Sequence, residues 1–317
     1  MSRVSLLRSC LILAAIPMPI PREIVESVRN GECVLFLGAM ASAPSPPGSR
    51  FAYSDGPPSG SALSQRLVKT FDYQGEDATN LARVSLHVQY REYGSRQSLV
   101  KALRQEIAPE DAVGNPRIAP SPALHMLAAL PFRIVITTNY DDLFETALAQ
   151  VEVKTPDGSL APKRPLIKVY DPTRQGPPEN VPLDPSANKP ILLKLHGDFS
   201  LPESIVITEE DYIVFIQRMS SLHLHPIHEN IRARMKTWPV LFIGYSLKDY
   251  NLRLLFRTLR WNVDQANYPL SFSVDPQPDN LILSVWQEGK IVSFIKQDLW
   301  DFVPELYKEC MGVEYTP

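Results

Sequence analysis

The chain has 317 residues, of which 44% are hydrophobic and 21% charged, and a formal net charge of −3. That length suits one large α/β domain with an insertion better than two small domains, and the composition is that of an ordinary globular protein. The near-neutral charge excludes a global basic field of the kind that nonspecific nucleic-acid binding needs, although a local basic patch stays open.

At the N-terminus Arg3 and Arg8 precede an apolar run, Cys10 to Ile16, that is similar to a signal-peptide core. Pro17, Pro19 and Pro21 follow without a small-residue cleavage site, and the run is too short to cross a bilayer. Residues 1–20 are therefore read as a leader. The three cysteines, Cys10, Cys33 and Cys310, are scattered and form no CxxC pair, which fits a reducing cytoplasm with no disulfide framework, and no membrane partner is expected.

A first helix is expected from Pro21 in its first turn to a stop at Gly31, and a first strand at Cys33 to Gly38. GAMAS follows directly, as either a phosphate-binding turn at the next helix's N-terminus or a plain tight turn. The stretch Pro44 to Ser61, rich in Pro, Gly and Ser, reads as a mobile loop, either a lid or a simple excursion. Helical spacing then marks Ala62 to Phe71, Leu81 to Tyr93 with Gly94 as the stop, and Gln97 to Ile107 after a Ser95 cap. A short helix runs from Pro122 to Leu130, capped by Ser121. His87 and His125, within these helices, read as core or surface residues.

FRIVITTNYDD, Phe132 to Asp142, and ILLKLHGD, Ile191 to Asp198, are apolar runs without alternation that break into polar turns. Such runs mark strands buried on both faces of a parallel sheet. Between them lie a helix over Asp142 to Gln150, a turn at Asp157-Gly158, a strand over Leu166 to Tyr170 and a proline-rich loop over Asp171 to Lys189. Thr208 to Asp211 makes a capping-box start for a helix. His223, His225 and His228 in HLHPIH lack a carboxylate or Cys at ligand spacing, so no metal is assigned. The strand VLFIGYS, Val240 to Ser246, precedes Asp249, which either caps the helix Tyr250 to Trp261 or contacts a cofactor. Strands near Leu270 to Val274 and Ile291 to Ile295 and a final helix, Leu299 to Cys310, complete the expected fold. That fold is α/β: a Rossmann-like, mostly parallel sheet with helices on both faces and an inserted helical module over about residues 60–130. Open α/β sheets bind ligands at the carboxyl ends of their strands, so Asn139, Asp141, His196 and Gly197 are expected to converge on one crevice.

In that order, GAMAS (Gly38 to Ser42), TTNYD (Thr137 to Asp141), LHGD (Leu195 to Asp198) and GYSLKD (Gly244 to Asp249) resemble the sirtuin-like domains of bacterial antiphage proteins that consume NAD. The resemblance runs from about Pro21 to the C-terminus. Deacetylase sirtuins are similar in the core but carry a structural zinc on two CxxC pairs, which this chain lacks. They also carry Gln where Thr138 stands and Ile where Tyr140 stands, and the family's Gly-Ala-Gly turn has Met40 in its third position here.

The resemblance implies an NAD glycohydrolase that splits the nicotinamide-ribose bond and depletes NAD during phage attack. NAD would be the substrate and no metal would be needed, because the nicotinamide ring is already cationic in NAD and leaves as a neutral molecule, so the protein has only to position water and handle a proton. By the same resemblance Asn139 and His196 are the catalytic pair and Asp141 holds the carboxamide. Gly38, Ala39, Ser42, Thr138, Gly197, Gly244, Ser246 and Asp249 would contact the dinucleotide. The residues alone leave Asn139 open as a helix cap and His196 as a structural histidine. Gating is expected from homo-oligomerisation or from a separate chain, such as a DNA-translocase ATPase or an Argonaute-type protein. Two other readings stay open: a sensor module that binds NAD or ADP-ribose without turnover, and an NAD-dependent deacylase or ADP-ribosyltransferase.

Overall fold

The computed structural model describes residues 19–91, 93–154, 158–248, 256, 269–288 and 292–316. Most of the leader, Asp157, Asp249 and, apart from the buried, helical Phe256, the helix expected over Tyr250 to Trp261 lie outside the described residues.

Four-residue apolar runs become the central strands. β1 (Val34–Leu37) pairs with β2 (Ile134–Thr137) on one side and β7 (Val240–Ile243) on the other, with Val34 opposite both Ile134 and Val240. Outward from β2 lie β6 (Ile191–Lys194) and then β5 (Leu166–Val169). Outward from β7 lie β8 (Ser271–Val274) and then β9 (Val292–Ile295). All seven strands are parallel, where the sequence pattern leads one to expect a mostly parallel sheet. A separate antiparallel hairpin, β3 (Glu152–Lys154) and β4 (Leu160–Pro162), was not anticipated.

Alternation along β1 divides the core. Leu35 and Leu37 face α1 (Arg22–Arg29), α5 (Pro122–Ala129), α6 (Leu143–Ala149) and the C-terminal helix α10 (Leu299–Met311). Val34 and Phe36 face α7 (Glu209–Met219), α8 (Glu229–Thr237) and α9 (Asn280–Glu288). Side chains of this size contribute roughly 1.5–3 kcal/mol each on full burial, which makes the two layers the main source of stability.

The three helices α2 (Gly60–Phe71), α3 (Leu81–Tyr90) and α4 (Arg96–Ile107) make a third core from Leu63, Leu67, Val84, Val88, Leu99 and Leu103. α3 ends three residues before the expected Tyr93, which adopts φ 61°. Arg96 ties this module to α7 by an ion pair with Asp211 at 2.8 Å and a bond to the Ile205 carbonyl. Asp211 in turn closes the Thr208 capping box, so one carboxylate both starts α7 and anchors the module. The stretch from Pro44 to Ser59 has no regular element but is tied down: Ser45 N donates to Tyr53 O at 2.8 Å, and Phe51 is buried in the first core.

Candidate functional site

The sheet's strand order reverses at β1, so the carboxyl ends of β1, β2, β6 and β7 open onto one crevice. A cleft of about 380 Å3 lies there. Thr138, Asn139 and Asp141 line it from the β2 turn, His196 from β6, and Gly244 and Ser246 from β7. Ala39 and Met40 come from the turn after β1, and Tyr212 from α7. The helical module closes the far side with Leu63, Leu81 and Ile107. No Lys or Arg lines the cleft among the described residues.

Asn139 is held by two hydrogen bonds, one of them to a hydroxyl that is itself anchored on β1. Its N–H donates to Thr137 Oγ1 at 3.0 Å, the Thr137 hydroxyl donates to Leu37 O at 3.2 Å, and Asn139 Nδ2 donates to Gly38 O at 3.3 Å. Nδ2 can only donate, so Oδ1 is the side chain's acceptor. Asn139 is not a helix cap: the N-cap position of α6 is Asp142, which makes no side-chain cap bond, and Asp141 Oδ1 accepts from Leu143 N at 3.1 Å in the turn before the helix. Burial raises the Asp141 carboxyl pKa, against the opposing charge of Lys194. His196 is buried, with its ring edge-to-face against Tyr212 at 5.6 Å and Phe215 at 5.3 Å.

Lys194, the last residue of β6, stands in the sequence as one more position of an apolar strand, yet it ties together the turns beneath the cleft. It is fully buried; Nζ donates to Asp141 O at 2.6 Å and Glu145 Oε1 at 2.8 Å and pairs with Asp198. Burial opposes its charge, but Glu145 and Asp198 outweigh that and hold its pKa above the usual value. The sequence signal was a lone lysine inside an apolar run, since a buried lysine needs partners.

Gly38, Ser42 and Gly197 do not line the cleft. A Cβ on Gly38 would meet Gly244 O at 2.5 Å, and one on Gly244, at φ 71°, would meet Ala41 N at 1.9 Å. These glycines let the turns after β1 and β7 interlock, joined by Met40 N to Gly244 O at 3.0 Å. Gly197, at φ 92°, permits close approach to Ser204. The buried Ser42 hydroxyl has no hydrogen-bond partner among the described residues. GAMAS leads into a single 3-10 turn, Ala39–Ser42, and the nearer full helix is α2, whose N-terminal Ser59, Gly60 and Ser61 border the cleft. Met40 is 46% exposed beside it.

Two of the three histidines of HLHPIH serve the backbone, and His223 is exposed. His225 Nδ1 accepts from Ile227 N at 3.0 Å, and His228 Nδ1 accepts from Asn230 N at 3.2 Å as the cap of α8. No group of three or more His, Cys, Asp or Glu could hold a metal among the described residues, and no described helix is long and apolar enough to cross a membrane.

A model of the SIR2-like domain family matches residues 133–294, just over half the chain. The chain is 26% identical over 243 residues to the NAD(+) hydrolase ThsA of Acinetobacter baumannii (strain 532279), covering 77% of this chain and 42% of that protein. It is 26% identical over 306 residues to defense-associated sirtuin 2 of Bacillus subtilis, covering 92% of this chain and 26% of that protein. Against the NAD(+) hydrolase ThsA of Enterococcus faecium it is 25% identical over 245 residues, covering 77% and 43%. The chain thus spans less than half the length of these curated relatives.

Proposed function

The chain belongs to the SIR2-like domain family, and from that premise we propose that it is an NAD glycohydrolase that depletes NAD in antiphage defence. The observation that carries the reading is that Asn139 and His196, from two different strand ends, line one cleft with apolar walls. Relatives named NAD(+) hydrolase and defense-associated sirtuin support the reaction and the setting.

In this reading Asn139 Oδ1 orients the attacking water against the ribose as nicotinamide departs, and His196 takes the proton. Asp141, whose burial favours the protonated carboxyl, hydrogen-bonds the carboxamide. Ala39, Thr138, Gly244 and Ser246 border the dinucleotide. With no cation among the described lining residues, main-chain N–H groups at Gly60 and Ser61, in the first turn of α2, suit the pyrophosphate. Gly38 and Gly197 act by shaping turns, and Ser42 and Asp249 complete the candidate set.

Residues 21–317 form one sirtuin-like unit in this reading, working in the cytoplasm and gated by self-association or by a separate chain. The reaction is tested by chromatography of NAD incubated with the protein. Nicotinamide release supports it; tight binding of NAD without release would instead favour a sensor.

A further inference from the structure

A second cavity, of about 270 Å3, lies against the edge strand β5 and, like the cleft, is bordered by α7. Its floor is apolar, from Val181, Leu193 and Ile231. Its upper wall carries Lys168, Arg174, Arg218, His225 and His228. Lys168 and Arg174 share one carboxylate, Glu179, at 2.6 and 3.0 Å. The other acid, Asp171, accepts twice from Thr173 in its own loop. Arg218 donates only to the carbonyls of Pro172 and Arg174 and has no carboxylate partner among the described residues. Because both imidazoles accept a backbone N–H at Nδ1, their neutral tautomers present Nε2–H as a donor. Tyr170, 4% exposed, also borders the cavity, and its hydroxyl has no hydrogen-bond partner among the described residues. The cavity thus combines an apolar floor with a surplus of donors and cationic charge, which is the chemistry of an organic anion site.

The two cavities share a wall. Tyr212, Phe215 and Arg218 recur at three-residue spacing along α7. Tyr212 borders the cleft, Arg218 borders the second cavity, and Phe215 stands edge-to-face with both His196 and Tyr170 at 5.3 Å. A group that bears on Tyr170 or Arg218 therefore bears on the packing of His196 through one ring.

We propose that this cavity is a second ligand site, taking a small phosphorylated metabolite with its phosphate toward Arg218 and its carbon part on the apolar floor, and that occupancy is transmitted to His196 through Phe215. The transmission rests on the NAD-hydrolase reading of the cleft; the binding does not.

The test is calorimetric titration of the full chain with glycerol 3-phosphate, glucose 6-phosphate and inorganic phosphate. Saturable one-to-one binding is expected, weakened about tenfold or more by Arg218→Gln or by Lys168→Gln and untouched by Asn139→Ala. Tighter binding of an ester supports a metabolite as stated, whereas tighter binding of inorganic phosphate overturns the metabolite in favour of the free ion. Absence of saturable binding, or binding lost in Asn139→Ala and kept in both cavity variants, overturns the site. The bound ester should change the Kd for NAD about fivefold or more, and Phe215→Leu should abolish that change while keeping ester binding. An unchanged Kd overturns the transmission. Failure of NAD to bind under any condition overturns the hydrolase reading and the transmission together but leaves the ester isotherm standing.

Discussion

Lys194 Nζ, buried at the end of β6, donates to the carbonyl of Asp141 at 2.6 Å, so one side chain joins the turn that carries Asn139 to the strand that leads into His196. Replacing it removes the only cation paired with Glu145 and Asp198 among the described residues. Lys194→Met is expected to cost about 3–5 kcal/mol in denaturant unfolding, the usual cost of breaking a buried ion cluster. The fraction that still folds should release nicotinamide more slowly. An unchanged unfolding midpoint would remove Lys194 from this account.

Asn139→Ala and His196→Ala should each lower the rate of nicotinamide release by about 100-fold or more, with the circular dichroism spectrum unchanged. Full activity in either variant would assign the chemistry to other residues of the cleft.

Gly244 and Gly114 both have positive φ, at 71° and 89°, but only Gly244 faces an obstacle, with Ala41 N at 1.9 Å from an added Cβ, whereas Gly114 has nothing within 4 Å. Gly114→Ala should cost about 1 kcal/mol from the left-handed backbone alone. Gly244→Ala should cost clearly more and distort the cleft. Equal losses in thermal unfolding would show that the interlock with the β1 turn contributes nothing.

With no Lys or Arg among its described lining residues, the cleft offers a 2′-phosphate no counter-charge. The expected outcome is a kcat/KM for NAD about tenfold or more above that for NADP. Parallel turnover assays decide it, and equal rates would refute the preference.

Burial, reinforced by the charge of Arg232, pushes the His225 pKa down to about 4. The unfolded chain, at about 6.5, takes up a proton before the folded one does. His225 therefore contributes stability that is fully present above about pH 6.5 and is lost as pH falls toward about 4, by up to roughly 3 kcal/mol. Urea unfolding at about pH 7 and about pH 4.5 should show the loss, and His225→Asn should flatten it.

The strands were legible because a strand covered on both faces leaves no room for polar alternation, as in Val34–Leu37 and Val240–Ile243. Caps were legible for the same local reason, Thr208 with Asp211 and Ser121 among them. The β3–β4 hairpin was not, since three residues such as Glu152, Val153 and Lys154 give too short a pattern. Neither was α8, which buries only Ile231 and Met235 and is capped by an imidazole nitrogen of His228. At the site, motif spacing brought out the residues at the strand ends. It could not tell that Gly38 and Gly197 serve close backbone approach, or that Lys194 spans the floor, because those facts depend on partners distant in sequence.

β1 sits at the centre of the sheet, yet its two neighbours begin at Ile134 and Val240. Its turn is then clasped by Gly244. Contacts of such long sequence separation form slowly and late. On the ribosome, a nascent chain that has emerged only as far as the turn after β6 already holds Asn139 and His196 but has no β7 to complete the crevice between them and the β1 turn. Synthesis order alone thus postpones the cleft until the chain has been threaded past residue 244.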